Sequence, residues 1–488
     1  MASRTGAPSS TRLVTAESET SPTQRPAREV SPPGKRSVAS SREDSVDTPP
    51  ITLEITYIGG RGDGVGRADY TLNYALKSYT VFVPETLPGE IVTVQPQQTN
   101  AQGIRAELIE LNQASENRNI PPCPAFGRCG GCQLQHLNDN SYQSWKSNIL
   151  EKSLLEVGVI PNEWGRAFWG DAATRRRATL SYRRTADSVI IGFLGRQTHF
   201  ITPIEGCIIL QPEIKALLAP LHIFAKTALK KGDAGRMHIN MLDAGADITL
   251  LPDEEIPQEQ QTSLASAAAQ TDLLAVMVRL SIQQPDSKTA TPLLAPKSSS
   301  LSSFGVPAII PPASFLQASV EGEAAMIKLL ASKIADNSRI IDLFCGAGTL
   351  SLGLLLRGCE LLAIDEDGAA ISAFEAAANQ AGFGQQARFE RRNLFNAPLL
   401  PPELKDADTV ILDPPRQGAE GQMPLLRQAR IPQILMVSCN PRSLARDLAI
   451  LTADGLYHLD SVTLIDQFVY STHIEAVACL RLVEEDTK

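Results

Sequence analysis

Three features of the sequence predict an α/β protein: a doubly wound parallel sheet near its C-terminus, a small β-barrel near its N-terminus and a mixed α/β domain between them. Residues 306–488 alternate strand-like and helix-like segments. Such alternation builds a parallel sheet, because each crossover helix covers a sheet face. Residues 51–110 hold short β-rich runs at 51–58, 79–84 and 90–95, broken by Gly59-Gly60, Asp63-Gly64 and Pro88-Gly89. Short strands with close turns suit a five-stranded barrel of the oligonucleotide-binding type. Residues 111–305 mix a helical stretch at 142–157 with a β-like run at 178–193, and a Pro-, Ser- and Thr-rich linker at 285–300.

The elements follow in chain order. Residues 1–50 are rich in Ser, Pro, Thr, Arg and Glu, so they bury too little apolar surface to offset their ordering entropy and are expected to form a disordered tail. The barrel spans 51–110, the central domain 111–305 and the doubly wound domain 306–488. In the last, a helix at 320–335 leads to a strand at 339–343, a Gly-rich turn and a helix at 349–356. A strand at 360–364, a helix at 368–381 and strands at 409–412 and 433–438 complete the pattern. No apolar run is long enough to predict a membrane span, and no secretory pattern opens the chain. A reducing cytoplasm is the expected setting.

The segment Asp342-Leu343-Phe344-Cys345-Gly346-Ala347-Gly348-Thr349 joins a strand to a helix. Its glycines let the backbone turn sharply and approach a ligand. Ligands of such sheets bind beyond the carboxyl ends of the strands. The spacing is not that of a dinucleotide pyrophosphate loop. Asp365, at the end of the next strand, is placed to bond both hydroxyls of a ribose. Together these favour S-adenosylmethionine over NAD. Two prolines in Asp413-Pro414-Pro415-Arg416 end a further strand and present Asp413 rigidly at the same rim.

The next strand delivers Ser438-Cys439-Asn440-Pro441. A lone cysteine is most often a buried structural residue, but one at the carboxyl end of a strand, between polar neighbours, suits a nucleophile. Glu475, in Ser471-Thr472-His473-Ile474-Glu475, is the candidate base, with His473 expected on the same strand face.

The chain has eight cysteines, three of them in Cys123-x5-Cys129-Gly130-Gly131-Cys132. Outside a secretory context this favours metal binding or catalysis over disulfides. With the remote Cys207 the set fits an iron–sulfur cluster of the 4Fe–4S kind; zinc is the alternative metal.

Together these motifs resemble the RNA 5-methyluridine methyltransferase family, especially its iron–sulfur branch acting on large-subunit ribosomal RNA. The resemblance runs from about residue 51 to the end. It implies a TRAM-like barrel, on Gly64-Val65-Gly66 and Pro88-Gly89-Glu90, and a Rossmann-like methyltransferase domain. It implies that Cys123, Cys129, Cys132 and Cys207 hold the cluster. The family's F-x-Q-x-N motif stands here as Phe315-Leu316-Gln317-Ala318-Ser319, with Ser in place of Asn. Gln317, Phe344, Thr349, Asp365, Asn393 and Asp413 are the implied S-adenosylmethionine contacts, with Cys439 as nucleophile and Glu475 as base. Val469-Tyr470-Ser471 stands where the family has Pro-His-Thr. The implied reaction forms 5-methyluridine in 23S ribosomal RNA through a thiolate adduct at uracil C6, carried out by a monomer without a membrane partner. Transfer RNA is the alternative substrate, and a non-catalytic ribosome-assembly factor or an iron–sulfur redox protein the alternative roles.

The formal net charge is −9, which argues against broad nonspecific nucleic-acid binding. One stretch is basic: residues 166–196 carry Arg166, Arg175, Arg176, Arg177, Arg183, Arg184 and Arg196 against Asp171 and Asp187. It is expected to meet phosphates, with Trp169 and Tyr182 placed to stack on unpaired bases.

Overall fold

A computed structural model describes residues 49–72, 75–196, 198–303 and 305–483. The tail expected at 1–50 falls almost wholly outside the described residues.

Five strands, Ile51–Ile58, Gly64–Leu72, Ala75–Val83, Ile91–Asn100 and Gly103–Gln113, close into a barrel. Alternate residues Leu53, Ile55, Val81, Val83, Val92 and Val94 fill its core, as the two-residue side-chain period requires. Gly66 permits closure: a Cβ there would fall 2.3 Å from the Glu54 carbonyl oxygen. Glu90 is fully buried and accepts from Leu87 N at 2.8 Å and from Arg118 Nε at 2.6 Å. These bonds anchor the turn that leaves the barrel.

The middle of the chain forms a seven-stranded sheet ordered Ile201–Pro203, Val189–Leu194, Arg177–Arg184, Ala234–Leu242, Gly245–Pro252, Met277–Ile282, Thr291–Leu294. Helices Pro212–Ala228 and Gln258–Ala269 contribute Leu217, Leu221, Phe224 and Leu264 to its core. The linker expected at 285–300 contains the edge strand Thr291–Leu294.

The C-terminal sheet runs Ala387–Arg391, Glu360–Asp365, Arg339–Leu343, Thr409–Leu412, Gln433–Ser438, Glu475–Leu482, Tyr457–Asp466. The first five are parallel, and Glu475–Leu482 inserts antiparallel between Gln433–Ser438 and Tyr457–Asp466. Order therefore reverses beside Arg339–Leu343, and the crevice beyond the strand ends there is the expected ligand position. Residues upstream join this sheet. Glu163–Trp164 and Phe168–Trp169 pair along Tyr457–Asp466, and Leu150 and Leu154 of helix Asp139–Leu155 share its core.

One element differs in kind from the sequence reading. The helix expected at 349–356 is a single 3-10 stretch, Leu352–Arg357. Left-handed residues bound the stretch, Gly348 at φ 78° four residues before it and Gly358 at φ 75° directly after it. Among the described residues no helix is long and apolar enough to cross a membrane.

Candidate active site

The loops beyond the C-terminal strand ends surround a cavity of about 600 Å³. Its wall includes Gln317, Phe344, Thr349, Asp365, Asp413, Cys439 and Glu475. Eight site residues outside the cysteine cluster were expected from the sequence, and Asn393 alone among them does not line it. The Asn393 carboxamide donates to Glu366, and its oxygen accepts from Phe395 N and Asn396 N at 3.1 and 3.0 Å. Glu366 and Phe395 line the wall instead.

The nucleoside end is shaped by backbone. Phe344 takes φ 63°, unusual for a residue with a side chain, and Gly346 and Gly348 follow at 54° and 78°. A Cβ on Gly348 would lie 2.4 Å from the Phe374 ring. The turn is tied to the next strand: Asp365 accepts from Gly346 N at 2.9 Å and Asp367 N at 2.8 Å. Each carboxylate oxygen keeps acceptor capacity for a hydroxyl. A left-handed glycine turn, a cavity of this size and an acid at its wall fit the ribose and amino-acid portions of S-adenosylmethionine.

Cys439 sits just before helix Pro441–Thr452. Asn440 caps that helix by accepting from Arg442 N at 3.2 Å, and Pro441 opens it. The same Asn440 donates to Arg416 O at 2.8 Å, joining the cysteine turn to the Asp-Pro-Pro-Arg turn. Burial pushes the Cys439 thiol up to about 11, helped by Glu475 and Asp413 and opposed by Arg416.

The carboxylates form one chain of hydrogen bonds. Gln317 Nε2 donates to Asp413 Oδ2 at 3.2 Å, and Gln467 Nε2 donates to Gln317 Oε1 at 2.7 Å and to Glu475 Oε2 at 2.9 Å. Gln467 is itself oriented by Ala318 N, which donates to its Oε1 at 2.7 Å. Burial raises Glu475 to about 8 with a contribution from Asp413, against the Gln467 bond and Arg177. Asp413 rises to about 7, again by burial, with the Gln317 bond opposing and Asp365 adding.

Gln467 escaped the sequence reading. Its one signal was an amide, in Asp466-Gln467-Phe468, shortly before a buried acid. Arg177 and Phe315 were also missed as a pair: the guanidinium lies 4.3 Å from the ring centroid, and both line the cavity. His473 does line the cavity, but not as expected. It is exposed in the loop before Glu475–Leu482 while Glu475 is buried at the strand's first position, so the two do not share a strand face.

The basic stretch divides. Arg176 is buried and paired with Glu323 at 2.6 Å, which removes it from any surface role. Arg196 pairs with Asp63 of the barrel at 2.5 Å. Tyr182 is a core residue and Trp169 packs on Tyr142 with centroids 6.4 Å apart, so neither is free to stack on a base. Arg175, Arg177, Arg196 and Arg236 instead line a groove that meets the cavity at Arg175, Arg177 and His473.

Cys123, Cys129, Cys132 and Cys207 line a separate cavity of about 170 Å³. All four are free thiols. Burial pushes Cys132 up to about 12, with the other three sulfurs adding to the shift, a sign of their proximity. Among the described residues no three His, Cys, Asp or Glu side chains converge on a single ion. One zinc would draw its sulfurs to about 3.8 Å from each other, given about 2.3 Å per bond. A four-iron cluster is a larger body and would hold its cysteines farther apart; four thiols around one cavity are the donor type it uses.

A parallel sheet ordered this way, with a reversed strand near its end and a glycine turn facing an acid one strand over, defines a Rossmann-like methyltransferase. Residues 310–482 match the family model described as tRNA (Uracil-5-)-methyltransferase. The chain is 34% identical over 428 residues to an uncharacterized RNA methyltransferase of Brucella suis, covering 88% of this chain and 97% of that one. It is 30% identical over 447 residues to the 23S rRNA (uracil(1939)-C(5))-methyltransferase of Ralstonia nicotianae, covering 87% and 98%. Its fold is similar to that of Pyrococcus abyssi tRNA (uracil-54, C5)-methyltransferase in complex with S-adenosyl-L-homocysteine, with a TM-score of 0.66, 20% identity and coverage of 88% and 99%. The chain belongs to the RNA uracil-C5 methyltransferase family.

Proposed function

We propose that this protein methylates C5 of a uridine in 23S ribosomal RNA, with Cys439 as the nucleophile, Glu475 as the base and a 4Fe–4S cluster on Cys123, Cys129, Cys132 and Cys207. The observation that carries the reading is the meeting of Cys439, Asp413 and Glu475 around one cavity, with Glu475 held by the Gln467–Gln317 chain. S-adenosylmethionine, seated against Asp365 and the glycine turn, supplies the methyl group.

Uracil C5 is too weak a nucleophile to take a methyl group unaided. The Cys439 thiolate adds to C6 and pushes electron density to C5, which then takes the methyl as its bond to the sulfonium breaks and the neutral thioether leaves. Glu475 removes the C5 proton, its electron pair forms the C5=C6 bond, and the C6–S bond breaks to release the Cys439 thiolate. This divides one hard step into easier ones. The Gln317 carboxamide, already bonded to Asp413, is placed to orient the polar edge of the base. The arginine groove leads RNA to the cavity by its phosphates, and the target base is flipped from the stack. Ribosomal RNA is favoured over tRNA by the Ralstonia relative, whose named substrate is 23S rRNA and which matches along nearly its whole length.

The test is incubation of anaerobically purified protein with labelled S-adenosylmethionine and unmodified 23S rRNA or tRNA, followed by nucleoside analysis. Labelled 5-methyluridine in ribosomal RNA alone is expected. Label confined to tRNA would replace the substrate, and undiminished labelling by Cys439→Ala would overturn the covalent mechanism.

A further inference from the structure

The loop from Asp466 to Glu475 is built around a single ammonium group from a distant part of the chain. Lys146 lies buried on helix Asp139–Leu155. Its Nζ donates to Asp466 Oδ1 at 2.6 Å, to Phe468 O at 3.0 Å and to His473 O at 3.0 Å. A lysine has three donors, and all are used within this loop. Tyr142, one turn earlier, donates to Asp466 Oδ2 at 2.5 Å and accepts from Tyr470 N at 3.1 Å. The Tyr470 carbonyl in turn accepts from Gln133 N at 2.8 Å and Leu134 N at 3.0 Å. Tyr470 has φ 59°, a conformation that persists only where the surroundings over-determine it. Within this clamped stretch Gln467 reaches Glu475.

A buried ammonium is costly, and an apolar residue of its size would stabilise a core as well. The value of Lys146 lies instead in where it puts the loop. We propose that Lys146, assisted by Tyr142, is a positioning residue for proton removal from C5. The inference rests on the reading of Glu475 as the base.

In that step the C5–H pair becomes the C5=C6 bond, the proton passes to Glu475 and the Cys439 thiolate leaves. Attack by Cys439 and methyl transfer come earlier; their reacting groups, Cys439 and S-adenosylmethionine, lie outside the loop, which reaches them only indirectly, as through the Gln467–Gln317 bond. A displaced loop therefore slows release more than attack, and the covalent protein–RNA species accumulates.

The experiment uses the full chain with 23S rRNA and S-adenosylmethionine, and compares wild type, Lys146→Met, Tyr142→Phe, Glu475→Gln and Cys439→Ala. It reads turnover, the KM for RNA and the fraction of RNA bound through denaturing electrophoresis. Lys146→Met is expected to lower kcat about 100-fold, the scale of a misplacement near 1 Å, with KM little changed and the bound fraction raised toward that of Glu475→Gln. Tyr142→Phe removes one hydroxyl and shows the same partition more mildly, so it decides the matter if Lys146→Met does not fold. A bound fraction no higher than wild type in Tyr142→Phe, while Glu475→Gln traps RNA, would overturn the positioning role alone. Absence of any Cys439-dependent trapping in Glu475→Gln would overturn the base assignment and this inference with it.

Discussion

Gln467 and Glu475 are joined by a 2.9 Å hydrogen bond, and the same Gln467 nitrogen reaches Gln317 at 2.7 Å. The carboxylate is thus tied through Gln467 and Gln317 to Asp413, another acid of the cavity, and its protonation sets a pH dependence. Glu475 is raised to about 8 from an ordinary 4.5 and Cys439 to about 11. Both must lose a proton to act, so kcat/KM rises from pH 6 to pH 9 as Glu475 deprotonates and the Cys439 thiolate fraction grows, and it is still climbing at pH 9. A profile flat across this range would contradict the assignment.

The same raised value makes a stability prediction of opposite sense. The folded protein holds the Glu475 proton more tightly than the unfolded chain does, so stability falls as pH climbs from about 4.5 through about 8. Glu475→Gln removes that loss. The variant should melt roughly 2 °C above wild type at pH 9 and near it at pH 5, measured by calorimetry at both values.

Arg176 and Arg236 separate structure from RNA contact. Arg176→Ala leaves Glu323 buried without its partner and should cost about 3–5 kcal/mol in urea unfolding. Arg236 is exposed in the groove, so Arg236→Ala should leave the urea midpoint unchanged and reduce the salt slope of RNA binding by about one. Equal effects of the two on unfolding would remove the distinction.

Gly348→Ala puts a methyl group against the Phe374 ring at a φ of 78°. A destabilisation of about 1–3 kcal/mol follows from the overpacking and strain, with S-adenosylmethionine affinity down at least about tenfold. Titration calorimetry checks the second; unchanged affinity would detach the turn from the cofactor.

Replacing Cys132 or Cys207 by Ala should abolish the visible absorbance and the iron content of anaerobically purified protein. Zinc in stoichiometric amount in the unsubstituted protein would instead assign the site to a single ion.

What could be read from the sequence was what depends on local pattern. The strands at 409–412 and 433–438 were bounded to the residue, because apolar runs between polar turns leave little choice of register. Cys439 and Asp413 were legible for the same reason, each one step beyond such a strand. Residues whose role comes from pairing at long range were not. Lys146 meets Asp466 across 320 positions and Gln467 meets Gln317 across 150, and no local period encodes either. Arg176 illustrates the converse: it shares its neighbours' charge, but, one residue before strand Arg177–Arg184, it turns inward onto Glu323 while Arg177 faces the cavity.

The short strands Glu163–Trp164 and Phe168–Trp169 lie along the outer side of Tyr457–Asp466. An uncovered edge of that length offers a row of unpaired backbone donors and acceptors and invites pairing with other chains. The catalytic half therefore depends on a segment nearly three hundred residues upstream to stay out of aggregates. Residues 306–488 moved alone into another protein would lose the two strands that cover this edge.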